Sequence, residues 1–521
     1  MKIGCPALGF INICGMFVRR KRNKSGSISV QVVMKNRGRY VVVRSFGASD
    51  DEARLVQLEK SAREYIMTYQ GQQVIDFTAP SRAEEIHQLK SSILSIVQNG
   101  PHLLLDRIYD NIGFGRLKSD MLRDLVVSRV CQPRSKLATV DYLRRACGVE
   151  VEVHTIYRFM DKLDEAFRQR VQQISVDHTR QILGGKIGMV FYDVTTLYFE
   201  TAREDALRSP GFSKYGKTAE SQIVLGLLVS MDGYPLNYSL FNGSQYEGRT
   251  MIPVIDDFVQ RFQLTDFIVV ADAGLLSRKN IDLLKAAGYK FILAGRIKKE
   301  SKSVCDWVLN LPKAPDRLHE TTINGDERII VSYSPSRAKK DANNREKGIA
   351  RLRKSYASGK INKKNINQRG YNKFLVVDND VFVSIDEQKI ADDARWDGLK
   401  SYVTNTDLEA SAVIERYHEL WGVERAFRVV KGQLETRPVF HFTERRIEAH
   451  ICICFMAYKL YKELERLLNA LDIGLSVDTA LDIAKTISTV TFALKDGTAV
   501  EQVMLTTPEQ RRLAPLLPND R

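Results

Sequence analysis

The chain has 521 residues, 44% of them hydrophobic and 27% charged, a balance that excludes a wholly disordered or collagen-like protein. Its 78 Lys/Arg against 63 Asp/Glu leave a net charge of +15, which points to a polyanionic partner, most often nucleic acid. Seven scattered cysteines, none at C-x-x-C spacing, exclude a disulfide framework and the common zinc sites, and they fit a reducing cytoplasm.

Residues 1–17 are fairly apolar, but Gly4, Pro6, Gly9 and Gly15 interrupt them and the basic cluster at 19–24 follows rather than precedes. The run therefore reads neither as a signal peptide nor as a membrane span, and it is consistent with Met16 as the start. No membrane partner is expected. Residues 27–33 and 39–44 predict a small hairpin turning at Gly38, and 51–70 a helix. Residues 100–180 are mainly helical by periodicity. Within them, 136–146 and 154–165 predict two short helices, either a helix-turn-helix or part of an ordinary bundle.

The middle of the chain changes character. Residues 186–200 are a buried-strand run, and 223–229 and 236–241 are two further strands around Asp232-Gly233, a strong hairpin signal. A helix over 251–262, a strand over 267–271, a helix capped by Ser277 and a strand over 290–294 follow. This order predicts a mixed sheet with helices on its faces. Residues 300–400 interrupt the block with short strands at 328–333, 374–377 and 381–385. Between residues 337 and 373 lie 13 Lys/Arg against Asp341 and Glu346, so one segment carries most of the excess charge. A strand at 401–404 precedes a long helix running from Asp407 or Ser411 to about Leu434, and a second helix covers 445–468. The last fifty residues are mixed. Cys452 and Cys454 read as core thiols.

Three acids stand out by context: Asp193 inside an apolar strand, Asp272 at the end of another, and Glu424 on the long helix. A lone strand-embedded Asp more often caps a turn than catalyses, but two on one sheet plus a helical Glu match a known requirement. Paired divalent cations at a phosphate need a few hard oxygen ligands and no nucleophilic side chain. Tyr417, Glu424 and Lys431 are spaced by seven, which on one helix returns each to within about 20° of the same face. The bland alternative is a solvated heptad stripe.

Asp193 in FYDVTTLYFE, Asp272 in VVADAGLLS and Glu424 in YHELWGVERAFRVVKGQL together resemble the acids of DDE transposases of bacterial insertion sequences. The group resembled carries a Y-(2)-R-(3)-E-(6)-K signature. Tyr417, Glu424 and Lys431 fall on three of its positions, while Leu420 stands where the Arg belongs, with Arg416, Arg425 and Arg428 nearby. The likeness covers about residues 180–470. It implies an RNase H-like α/β fold interrupted by a β-rich insertion, behind a helical N-terminal region. The expected organisation is 1–80 (hairpin and helix), 81–183 (helical, a candidate DNA-binding domain), 184–299 with 401–470 (catalytic), 300–400 (basic β-rich insertion) and 471–521 (C-terminal).

The resemblance implies a transposase that cuts DNA at insertion-sequence ends and joins the 3′ ends to target DNA, with a hairpin intermediate in many members of the group. It also implies Mg2+ held by Asp193, Asp272 and Glu424, with Mn2+ substituting, double-stranded DNA as partner, a homodimer on the DNA, and a bacterial nucleoid-associated location. Expected DNA contacts are Tyr417, Lys431, Arg428, Arg158, Arg351, Arg353, Lys363 and Lys364. Lys214, Lys217, Arg249 and Arg278 are weaker candidates, each read singly as a solvated charge. Trp307 and Trp396 are expected in core packing rather than on bases. The alternatives are a metal-dependent nuclease without strand transfer and a non-enzymatic, transposase-derived DNA-binding protein. No P-loop is present, so no ATP dependence is expected.

Overall fold

The computed structural model describes residues 15–36, 38–69, 82–211, 220–358, 367, 370–378, 382–437 and 439–518. The chain divides into two compact units, Met1–Ile93 and Leu94–Arg521.

In the first unit, strand Ile28–Asn36 pairs antiparallel with Arg39–Ser49 through the turn at Gly38, whose φ of 85° suits glycine. A third strand, Met16–Arg22, pairs along the other edge of Ile28–Asn36, where the sequence showed only an apolar run and a basic cluster. The helix Glu52–Thr68 starts at Asp51, whose carboxylate accepts the N–H of Ala53. Its Leu55 and Ala62 pack on Met16, Val30 and Val32, a small core of their own.

The second unit opens with a helical region: Gly100–Ile112, Asp120–Cys131, Lys136–Cys147, Val153–Met160 and Glu165–Ile182. Ser119, Ser135 and Asp164 each cap the following helix with a side-chain oxygen. The short strand Ile93–Val97 forms a three-stranded sheet with Ser488–Ala493 and Ala499–Met504, partners some 400 positions away that no local pattern signals.

The large sheet has eight strands among the described residues and is mixed. Its order is His319–Ile323, Glu327–Tyr333, Leu399–Thr404, Lys290–Ala294, Ile268–Ala271, Met189–Tyr198, Gln222–Ser230, Pro235–Asn242. Met189–Tyr198, Ile268–Ala271 and Lys290–Ala294 run parallel, and the neighbours on either side are antiparallel. Side chains alternate across the strands. Val190, Tyr192 and Val194 join the core under helices Met251–Phe262 and Arg278–Ala286. Phe191 and Leu197 face the opposite core, built on helices Ala410–His418, Trp421–Lys431 and the buried Glu444–Ala470. The fold is thus α/β with helices on both faces, as the hydrophobic pattern predicted.

Two expectations are corrected. The long helix expected to run unbroken to Leu434 is two helices, Ala410–His418 and Trp421–Lys431. Between them the N–H groups of Leu420, Gly422 and Val423 reach back three residues rather than four, to Tyr417, Glu419 and Leu420, which tightens and turns the backbone. Burial of Leu420 in the core favours that turn. The insertion expected to be β-rich also differs. Strands His319–Ile323 and Glu327–Tyr333 extend the large sheet, and the basic run forms a 23-residue helix, Pro335–Ala357. Ser334 caps that helix and Pro335 occupies its first position, where a missing N–H costs nothing. Among the described residues there, Leu375–Asp378 and Phe382–Ile385 form a separate antiparallel pair.

Candidate active site

Parallel pairing places two of the three acids. Tyr192 is in register with Ala271 on the adjoining parallel strand, and Asp193 and Asp272 are the next residues along each. Asp193 lies on the sheet face shared by Phe191 and Leu197. Asp272 lies just past the carboxyl end of its strand, where crevices of open α/β sheets form. Its carboxylate accepts the N–H of Ala273 at 2.6 Å and the hydroxyl of Tyr417 at 3.3 Å.

The two helices lie across this same face. Tyr417 is buried in the core, with its ring edge-on to Tyr402 at 4.9 Å. Burial, then the nearby Asp272 charge, push the Tyr417 phenol well above its usual range, so it stays a donor. Glu424 sits in the first turn of its helix, exposed, where a carboxylate is favoured by the helix dipole. Lys431, in the last turn, donates to the hydroxyl of Thr195, two residues beyond Asp193 on the same strand face. The turn at Leu420 therefore separates Tyr417 from the Glu424–Lys431 helix, and the three do not form one stripe of one helix.

Asp272 and Glu424 share a cavity of about 390 Å3, with Tyr417, Lys400, Arg337 and Trp421 also in its wall. Lys400 and Arg337 also line a neighbouring cavity of about 620 Å3, together with Arg296, Lys298, Lys299 and Arg345. A carboxylate pocket thus opens beside a cation-rich one. Lys400 feels both acids; burial, then Arg337, lower its pKa, while Asp272 and Glu424 raise it, leaving a net downward shift. Sequence reasoning missed Lys400 and the placement of Arg337 at the cleft. A lysine inside the apolar strand LKSYVT was the available signal, since a cation is rarely half-buried without a reason.

The remaining expected DNA contacts scatter. Arg428 is exposed one turn past Glu424 and has no side-chain partner among the described residues. Arg425 is paired with Glu465, and Arg416 with Glu419 at 3.0 Å. Leu420 is core. Arg158 is exposed on Val153–Met160, donating to Thr155 at 3.3 Å, while Tyr157 packs on Arg446 and His441. Arg351 and Arg353 are exposed on the basic helix, Arg353 paired with Glu387 at 2.6 Å. Arg249 is exposed. Arg278 is engaged by Asp282 and the fully buried Glu327, at 2.7 and 2.5 Å, so its charge is held within the fold. Trp307 and Trp396 pack against the core, as expected. Lys363, Lys364, Lys214 and Lys217 lie outside the described residues.

The donor set suits a hard divalent cation, since Asp193, Asp272 and Glu424 offer carboxylate oxygens, although the His418 imidazole also lines the cavity of Asp272 and Glu424. Among the described residues no three such side chains close around a single ion. Asp272 is turned toward Tyr417 and its own loop, and Glu424 is exposed on its helix.

Residues 185–460, just over half of the chain, match the family model "Transposase DDE domain", and the chain belongs to that family. No curated protein matches the sequence. Among solved structures, a piggyBac transposase synaptic complex with hairpin DNA is similar at 10% identity over 84% of this chain and 86% of that one, with a TM-score of 0.39. A Mos1 transposase paired-end complex with left transposon end is similar at 11% identity over 44% and 66%, with a TM-score of 0.16.

Proposed function

We propose that this DDE transposase cuts DNA at the ends of an insertion sequence and joins the 3′ ends to target DNA, with Asp193, Asp272 and Glu424 as its catalytic carboxylates. The observation that carries the reading is the parallel pairing of Tyr192 with Ala271, the residues just before Asp193 and Asp272, on the sheet face crossed by the helix that presents Glu424 and ties Lys431 to Thr195. A sheet in which two hairpin-joined antiparallel strands flank three parallel ones supports an RNase H-like core. Tyr417, Glu424 and Lys431 support membership of the Y-R-E-K group, Leu420 being the departure. The three carboxylates would hold Mg2+ or Mn2+, which, when bound, would activate the attacking hydroxyl and stabilise the leaving oxygen. The chain's own residues do the rest. Tyr417 orients Asp272, Lys431 is fixed beside Asp193 through Thr195, and the cavity of Arg296, Lys298 and Lys299 attracts the DNA backbone toward the acids. A homodimer would pair two ends, and a hairpin step is part of the reading.

The experiment is cleavage and joining of a duplex carrying the terminal repeat that flanks the gene, in Mg2+ or Mn2+ with Ca2+ as control. Asp193→Asn, Asp272→Asn and Glu424→Gln should fold, bind the duplex and lose cleavage by roughly a thousandfold or more, without additivity. Joining of pre-cut ends separates a transposase from a nuclease that only hydrolyses. Near-normal cleavage by any one variant removes that residue from the site.

A further inference from the structure

Lys400 lies in strand Leu399–Thr404, half-buried, at the wall between the carboxylate cavity and the cationic one. Its ammonium is 5.0 Å from the ring centre of Tyr402 and 4.4 Å from that of Tyr417. Those two rings touch edge to face, and strand pairing on both sides holds Tyr402 in place. The side chain is therefore held by packing. Yet among the described residues its ammonium makes no ion pair and no hydrogen bond, although Asp272 and Glu424 act on it electrostatically. A lysine ammonium carries three N–H donors. A half-buried cation with unspent donors is costly unless an anion completes it, because aromatic faces offset only part of lost hydration.

We propose that Lys400 is a phosphate-binding residue at the reacting centre, donating to a non-bridging oxygen of the scissile phosphodiester lying between Asp272 and Glu424. The inference rests on the transposase reading above and names the substrate atom that the reading leaves unassigned. In the cut, the attacking water oxygen forms a bond to phosphorus while the bond from phosphorus to the 3′ oxygen breaks. That electron pair leaves with the 3′ oxygen, which takes up a proton, and the water's proton passes to solvent. Lys400 touches neither the entering nor the leaving oxygen. It fixes the phosphate and offsets charge that grows on its non-bridging oxygens. Tyr417 joins the two functions, since its ring carries Lys400 and its hydroxyl orients Asp272.

The test uses the full chain with duplexes carrying the gene's flanking terminal repeat, holding at the scissile position either the natural phosphate or an uncharged methylphosphonate. Binding is read in Ca2+ and single-turnover cleavage in Mg2+. Lys400→Ala should cut on the order of a hundredfold more slowly, and Lys400→Arg should restore most of the rate. Lys400→Met keeps the stem over the two rings and should melt like wild type while cutting as poorly as Lys400→Ala. The natural duplex should bind Lys400→Ala about tenfold more weakly than wild type, one hydrogen bond to a charged group, whereas the methylphosphonate duplex should bind both proteins alike. Equal weakening on both duplexes, or cleavage by Lys400→Met at the wild-type rate, overturns the proposal. If Asp272→Asn abolishes cleavage while Lys400→Met does not, only this inference falls. If Asp272→Asn cuts like wild type, the transposase site falls and Lys400 with it.

Discussion

Tyr417 donates its hydroxyl hydrogen to Asp272 across 3.3 Å, although 145 positions separate the two residues. The contact joins the end of a parallel strand to the last turn of a helix that follows the whole basic segment. It gives Tyr417, expected as a phosphate contact, a visible task in orienting an acid.

Tyr417→Phe keeps the ring that packs on Tyr402 and removes only the donor. Cleavage of the end-bearing duplex should slow about tenfold, the worth of one hydrogen bond, with an unchanged melting temperature and unchanged binding in Ca2+. A wild-type rate in single-turnover assays would detach the phenol from the reaction.

On the basic helix, Arg337, Lys340, Lys347, Arg351 and Lys354 recur at helical spacing on one exposed side, over about 25 Å. Replacing Lys340, Lys347, Arg351 and Lys354 with Gln should weaken DNA binding equally for all sequences. The slope of log affinity against log salt should become shallower by up to about 3.6, because fewer counterions are released. An unchanged slope would show that this side of the helix does not meet DNA.

The helices Lys136–Cys147 and Val153–Met160 offer a separable test of end recognition. Arg158→Ala should lower the preference for the terminal repeat over random DNA while leaving the melting temperature intact, since Arg158 is exposed. Tyr157→Ala should instead lower stability, because Tyr157 covers Arg446, which forms a two-pronged bridge to Asp161. Competition binding against random duplex, read beside thermal melts, distinguishes the two.

Two histidines, the buried His178 and the half-buried His441, set an acid limit. Burial, followed by Lys459, holds His178 down at about 4, and burial with Lys136 and Arg129 holds His441 at about 3. The unfolded chain takes up these protons near pH 6.5 and the folded chain does not, so stability is full above that pH. It falls as pH drops from about 6.5 toward 4, by on the order of 3 kcal/mol for His178 alone. Urea midpoints at pH 7.5 and 5 should show the loss, and His178→Gln should reduce it.

Much of this arrangement was legible locally. Helix Met251–Phe262 and strand Lys290–Ala294 stand where the hydrophobic pattern put them, and helix Arg278–Ala286 where the Ser277 cap put it, because each is specified by residues next to one another. The two strand acids were legible because charge inside an apolar run is conspicuous. The broken helix was not, since the cause is Leu420 entering a core assembled from distant segments. The pairing of Ile93–Val97 with the C-terminal strands and the capture of Arg278 by Glu327 are likewise products of tertiary contact. Lys400 was passed over because its meaning depends on two tyrosines, one of them in another element.

The Glu444–Ala470 helix buries most of its length, and a single continuous core spans it, the helices at 100–182 and one face of the large sheet. A chain trimmed at residue 184 to isolate the acids would strip this helix of its partners at 100–182 and leave the buried Lys459 ammonium without the Ser175 carbonyl and Thr179 hydroxyl that accept from it. Expression of either fragment alone should give insoluble material, and the two parts should melt in one transition. Tension applied to the Arg158 region by bound DNA would reach the sheet through a rigid axle rather than a tether.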